Sequence, residues 1–157
     1  MKYLTSGYKG LGNTLFDVFD IVMWVSVEKK PNKNPGFRLV VAYVKDKLLL
    51  LYDPLLKPDD VLGVRQSIGE DGLMQCMADY IDRESCSKGG GDLNVKNNWK
   101  IDVADCTGTE NWDFSGLYVC YYVYQILKGS RNPFFNAKGV MAFGEKVLKM
   151  AEGKVKK

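Results

Sequence analysis

At 157 residues, with 46% hydrophobic and 26% charged side chains, the chain has the size and composition of one domain folded around one core. No run of about 18 uncharged apolar residues occurs, and the opening MKYLTSGYKGLG has no apolar h-region, so neither a membrane span nor a signal peptide is expected. The net charge of +3 is small, and much of the excess sits in Lys146, Lys149, Lys154, Lys156 and Lys157, a solvated helix end rather than a nucleic-acid groove.

The four cysteines, Cys76, Cys86, Cys106 and Cys120, are separated by 9, 19 and 13 residues, which matches no paired zinc knuckle. Free thiols in an intracellular protein, cytoplasmic or nuclear, are the expectation, with no metal and no cofactor. The histidine count is zero. Histidine is the side chain whose ordinary pKa lets it exchange protons near neutrality, and it is the commonest base for serine and cysteine nucleophiles. Acting alone, this chain lacks that chemistry.

In chain order, Phe19 to Val27 is rich in β-branched and aromatic residues and predicts a strand, closed by the turn-forming KKPNKNPG. FRLVVAYV and KLLLLY, parted by Lys45-Asp46-Lys47, predict a hairpin buried on both faces at the sheet centre. Pro58-Asp59-Asp60 offers an N-cap and acidic first turn. The helical spacing of Val61, Val64, Ile68, Leu73, Met77, Tyr80 and Ile81 then continues across a break at Gly69 to Gly72. Ser85 to Asn98, with Gly89-Gly90-Gly91, predicts a flexible surface loop, because no Lys-Ser or Lys-Thr pair and no helix follow to make it a phosphate cradle. Trp99 to Val103 alternates like a strand. Ser115 to Leu127 is apolar on nearly every side and predicts a buried central helix ended by Gly129. Val140, Phe143, Val147 and Met150 form one stripe of a last helix with lysines opposite, a pattern that more commonly packs on a core than meets a partner. The order predicts one α/β (α+β) domain over residues 1–157, a mixed central sheet flanked by helices.

Certain residues add a resemblance to this order. In GFRLVVAYVKDKLLLLYDPL, Asp53 stands 17 residues after Gly36, and Asp105-Cys106 is followed by Phe114-Ser115-Gly116-Leu117-Tyr118-Val119-Cys120. The segment from about residue 20 to 130 thereby resembles the Ulp/SENP cysteine proteases of ubiquitin-like proteins. In that family a histidine followed by tryptophan begins one strand, an aspartate 17 residues later ends the next, and Asp-Cys-Gly opens the buried helix. The resemblance implies a papain-like, Ulp-type core whose N-terminal part is short relative to the family.

It equally implies that the catalytic positions are degenerate. Gly36 replaces the histidine, Ser115 the cysteine and Thr109 the glutamine six residues before it; Asp53 alone persists. A cysteine at a helix N-terminus is activated by the helix dipole and a neighbouring histidine. A serine hydroxyl without a base is a poor nucleophile at neutral pH. Loss of one oxyanion donor costs roughly 3 to 4 kcal/mol. Taken singly, Ser115 also reads as an N-cap, Gly36 and Asp53 as turn residues and Thr109 as a loop residue. In active relatives the substrate's glycine tail lies in a tunnel roofed by tryptophans. Phe37 keeps an aromatic beside the histidine position, and Trp112, where the family has a small residue, is expected to plug the tunnel. The implied function is that of a pseudoprotease, a non-enzyme that binds a protein partner, such as a ubiquitin-like protein or another subunit of a complex. Two alternatives stand beside it: an active site completed in trans by a partner, and a nucleic-acid-binding module using the basic C-terminal helix.

Overall fold

The computed structural model describes residues 19–29, 34–88 and 91–153. Two long apolar strands organise it. The β-branched run β1 (Ile21–Glu28) pairs antiparallel with β2 (Gly36–Tyr43), from Ile21 opposite Tyr43 to Glu28 opposite Gly36. β2 then turns through residues 44–47, with Lys47 at φ 50°, into antiparallel β3 (Leu48–Tyr52), which brings Leu39 opposite Tyr52. Both expected strands of the hairpin are present and central. β4 (Lys100–Val103) closes the sheet in the order β1-β2-β3-β4, parallel to β3.

Helices cover both faces, because successive side chains of β2 and β3 point to opposite sides and are apolar on both. On one side Val40, Ala42, Leu49 and Leu51 pack with Met74, Ala78, Ile81, Val95, Trp99 and Val103. On the other, Leu39, Val41, Tyr43, Leu50 and Tyr52 pack with Tyr118, Val119, Tyr122, Ile126 and Val140. Full burial of each such aliphatic side chain contributes roughly 1.5–3 kcal/mol relative to its exposed state.

The first cluster is covered by α1 (Val61–Ser67) and α2 (Gly72–Ser87), interrupted by a 3-10 turn at Ile68–Glu70 where the glycines predict a break. The N-cap expectation moves. Pro58–Asp60 winds into a 3-10 turn and Asp60 caps nothing with its side chain, whereas Asp71 accepts from the Leu73 and Met74 N–H groups and restarts the helix. The loop expected over Ser85 to Asn98 is also corrected. Ser85–Ser87 finish α2, and Val95–Asn98 form a short α3 whose first N–H donates to both Asp82 carboxylate oxygens, at 3.1 and 3.2 Å, while Val95 is buried. Gly89 and Gly90 lie outside the described residues. Arg65 of α1 ties this layer to β4 by reaching Asp102 at 2.9 Å and Asp105 at 2.7 Å. Burial alone would raise the Asp102 pKa, but Lys100, the Val103 N–H and Arg65 outweigh it and hold the carboxyl below its ordinary value.

The second cluster is covered by α4 (Ser115–Leu127), closed by Gly129 at φ +93°, and by α5 (Ala137–Ala151), capped by Asn136. α4 is buried on one side rather than all round: Tyr118, Val119, Tyr122 and Ile126 face the sheet, while Cys120 and Leu127 are exposed. The expectation that the α5 stripe packs on the core holds for its first half alone. Val140 is buried and Phe143 meets Tyr121 and Tyr124, but Val147 and Met150 are exposed. Among the described residues no helix is long and apolar enough to cross a membrane.

Candidate functional site

The start of β2, the end of β3 and the start of α4 meet at one end of the sheet, and Gly36, Asp53, Thr109 and Ser115 are brought there together. Asn111 sets up the approach to α4: its side chain accepts from the Asp113 N–H at 3.0 Å and opens a 3-10 turn, Trp112–Phe114, that runs straight into the helix. Asn34 ties this turn down by donating to Asp113 at 2.6 Å.

Ser115 is therefore not the N-cap; that position falls to Phe114, which caps nothing with its side chain. Instead the Ser115 hydroxyl donates to the Trp112 carbonyl at 2.8 Å and accepts the Phe37 N–H at 3.1 Å. The residue is 0% exposed. The hydroxyl thus cross-links β2 to the helix start, its proton held by a carbonyl rather than by a base.

Gly36 stands where the resemblance implies a base, and the space in front of it is occupied. A Cβ atom at position 36 would lie 2.5 Å from Trp112 Cζ2, 2.8 Å from its Cε2 and 3.1 Å from Leu55 Cδ1. The indole leaves no room even for a methyl group. Phe37 lies against Gly116, where an added Cβ would stand 3.2 Å from its ring, so the aromatic and the small helix residue fit each other.

Thr109 belongs to a loop pressed on the 53–56 turn. Its N–H donates to the Pro54 carbonyl at 2.6 Å, and its Oγ1 accepts the Asn111 N–H at 3.1 Å. The preceding Gly108 permits this approach, since a Cβ there would sit 2.7 Å from the Pro54 oxygen. Asp53 accepts the Leu55 N–H at 2.9 Å and so shapes the turn after β3. Its charge also reaches inward. Burial pushes the Cys106 thiol up to about 11, a Tyr122 hydrogen bond lowers it in part, and the nearby Asp53 and Asp105 carboxylates raise it. Burial likewise raises the Tyr122 pKa, and that phenol donates to the Thr107 carbonyl at 2.5 Å.

Sequence reasoning did not single out Asn34, Gly108, Asn111 or Tyr122. Asn111 two residues before Asp113 is the one visible signal, an Asx turn before a helix; the others depend on contacts between distant segments. All four cysteines are free thiols, and among the described residues no three Cys, Asp or Glu side chains gather to hold a metal ion.

No family model matches the sequence, and no curated protein matches it. Among solved structures, the chain is similar to the SUMO protease Ulp1 with its catalytic cysteine oxidised to a sulfenic acid, and to the same protease oxidised to a sulfinic acid. Each likeness has a TM-score of 0.52 and 18% identity and covers 79% of this chain but 48% of the other, so the chain spans about half the length of these neighbours. The fold is a papain-like, Ulp-type core, as the resemblance carried by Gly36, Asp53 and Ser115 implied.

Proposed function

We propose that this chain is a catalytically inactive Ulp-type pseudoprotease that serves as a protein-binding or scaffolding subunit inside the cell. The observation that carries the reading is the Trp112 indole in the space a side chain at position 36 would need. Acyl transfer on this fold needs a nucleophile, a base and room for a scissile carbonyl within about 3 Å of both. Ser115 is enclosed and hydrogen-bonded to backbone on both sides, and position 36 offers no base. Asp53 accepts the Leu55 N–H in the turn after β3, and the chain holds no imidazole for it to orient. The enclosed hydroxyl also speaks against completion in trans, since a base brought by a partner would have to displace the indole first.

The two Ulp1 neighbours are SUMO proteases, so a ubiquitin-like protein is one class of partner for the retained core, another subunit of a complex the second. The direct test incubates the purified chain with ubiquitin-like fusion substrates and with electrophilic probes at the C-terminus of the ubiquitin-like protein. The expected result is no cleavage and no adduct. Covalent capture at Ser115 or at any cysteine would overturn the reading.

A further inference from the structure

The two edges of the sheet are built differently. β4 is four residues long, carries Lys100 and Asp102, and has its Val103 carbonyl taken by the Arg65 guanidinium at 3.1 Å. Short length, charge and a covering side chain keep an edge strand from pairing with another chain. β1 has none of these. It runs eight residues in unbroken register with β2, and from Ile21 to Val27 it holds no charge and no proline.

One contact fixes the direction of its hydrogen bonds. The Val44 N–H donates to the Asp20 carbonyl at 2.9 Å, and along an antiparallel strand the residues bonded to one neighbour alternate with residues that face the other way. Val22, Trp24 and Ser26 therefore bond to β2, while the N–H and C=O groups of Ile21, Met23, Val25 and Val27 point out of the sheet. Among the described residues no strand lies along that side. The side chains of the same four residues share one face, where Ile21 and Met23 pack on the second cluster but Val25 is 53% and Val27 47% exposed.

A row of donors and acceptors at this spacing is met by an extended strand, not by a helix, a bilayer or a nucleic acid. β1 of a second copy is such a strand, uncharged at its edge. Antiparallel pairing about a two-fold axis sets its outward-bonding residues opposite their like, and charge and exposure choose where the axis falls. An axis through Trp24 would place Asp20 opposite Glu28 of the second copy, two like charges. An axis through Val25 places Glu28 opposite Val22 and Val27 opposite Met23, and brings both exposed valines to the centre.

We propose that the chain self-associates through β1, two copies joining edge to edge about a two-fold axis at Val25 so that their four-stranded sheets become one. About six backbone hydrogen bonds and the contact between the valines hold the pair. An interface below the standard size of about 1,600 Å² makes this dimer weak and concentration-dependent. The proposal goes beyond the pseudoprotease reading and does not depend on it.

Sedimentation velocity of the full chain from about 1 to about 500 μM should show the monomer giving way to a dimer. Val25→Lys sets two like charges against each other at the axis. Val25→Pro removes an outward N–H while costing β1 no bond to β2. Each should weaken the dimer about tenfold or more, whereas Leu62→Lys, at an exposed position on α1, should leave it unchanged. Circular dichroism of the variants confirms that each is folded. The register is read by oxidation in a background with Cys76, Cys86 and Cys120 replaced by serine. Val25→Cys should form a disulfide-linked dimer. Val27→Cys should not, because its two copies would stand about 14 Å apart along the strands, beyond the reach of a disulfide. A monomer at every concentration, a dimer that both Val25 variants leave intact, or equal cross-linking at the two positions would each overturn the proposal.

Discussion

Trp112 and Gly36 form one unit at the scale of single residues. Histidine at position 36 would overlap the indole, so Gly36→His alone should cost about 1–3 kcal/mol as an overpacked site. In Gly36→His/Trp112→Ala the cost should fall well below the sum of the two single variants, since each relieves the other. Urea denaturation of the four proteins measures that coupling; strict additivity would mean that the two positions do not share space. Ser115 gives a second residue-level expectation. In a background with Cys76, Cys86 and Cys120 replaced by serine, a Ser115→Cys thiol should be alkylated by iodoacetamide roughly a hundredfold more slowly than an exposed cysteine such as Cys76 in the unaltered chain. A comparable rate would show that the helix start is open, and would reopen the case for chemistry there.

Elements are set here by small polar devices as much as by apolar pattern. Asp71 restarts the helix after the Ile68–Glu70 turn by accepting two N–H groups that would otherwise lack intrahelical partners. Asp71→Ala should destabilise the protein by about 1 kcal/mol, read as a lower urea midpoint with unchanged slope. The contrast with Asp60 is instructive, because both aspartates precede apolar helical runs. Asp60 follows Pro58 into a 3-10 turn with helical backbone angles and makes no side-chain bond to the helix N–H groups, while Asp71 at ψ 122° is extended and accepts from two of them.

For the whole molecule, the layer between sheet and α4 holds four acidic groups shifted in one direction. Cys106, Tyr43, Tyr52 and Tyr122 all have raised pKa values, chiefly through burial, with Cys106 at about 11. Below about pH 7.5, a unit under the unfolded thiol's ordinary pKa of about 8.5, each stays protonated in the folded and unfolded states, and the stability they contribute is fully present. As pH rises further, the unfolded chain releases these protons first. The folded state then binds more protons, and stability falls with rising pH. Urea midpoints should therefore be level between about pH 6 and 7.5 and decline with rising pH above that; a flat profile to pH 11 would show that the buried phenols and thiol keep their ordinary affinities.

The sequence by itself determined the strands, the two-sided hairpin and the broken helix, which follow from local pattern: period-two and helical repeats of apolar residues, and glycines and prolines that interrupt them. That Gly36, Asp53 and Ser115 share one end of an Ulp-type core was implied by the family resemblance those residues carry. Only the tertiary structure decided what surrounds those residues. That Trp112 fills the space before Gly36, that the Ser115 hydroxyl joins Phe37 to Trp112, and that Gly108 lets one loop lie on another are contacts between segments distant in sequence. No periodicity encodes them, because they depend on how close two backbones come once both faces of the sheet are covered. The same reason divides α5. Its apolar stripe is uniform in sequence, yet packing against the rest of the fold buries Val140 and leaves Val147 and Met150 exposed.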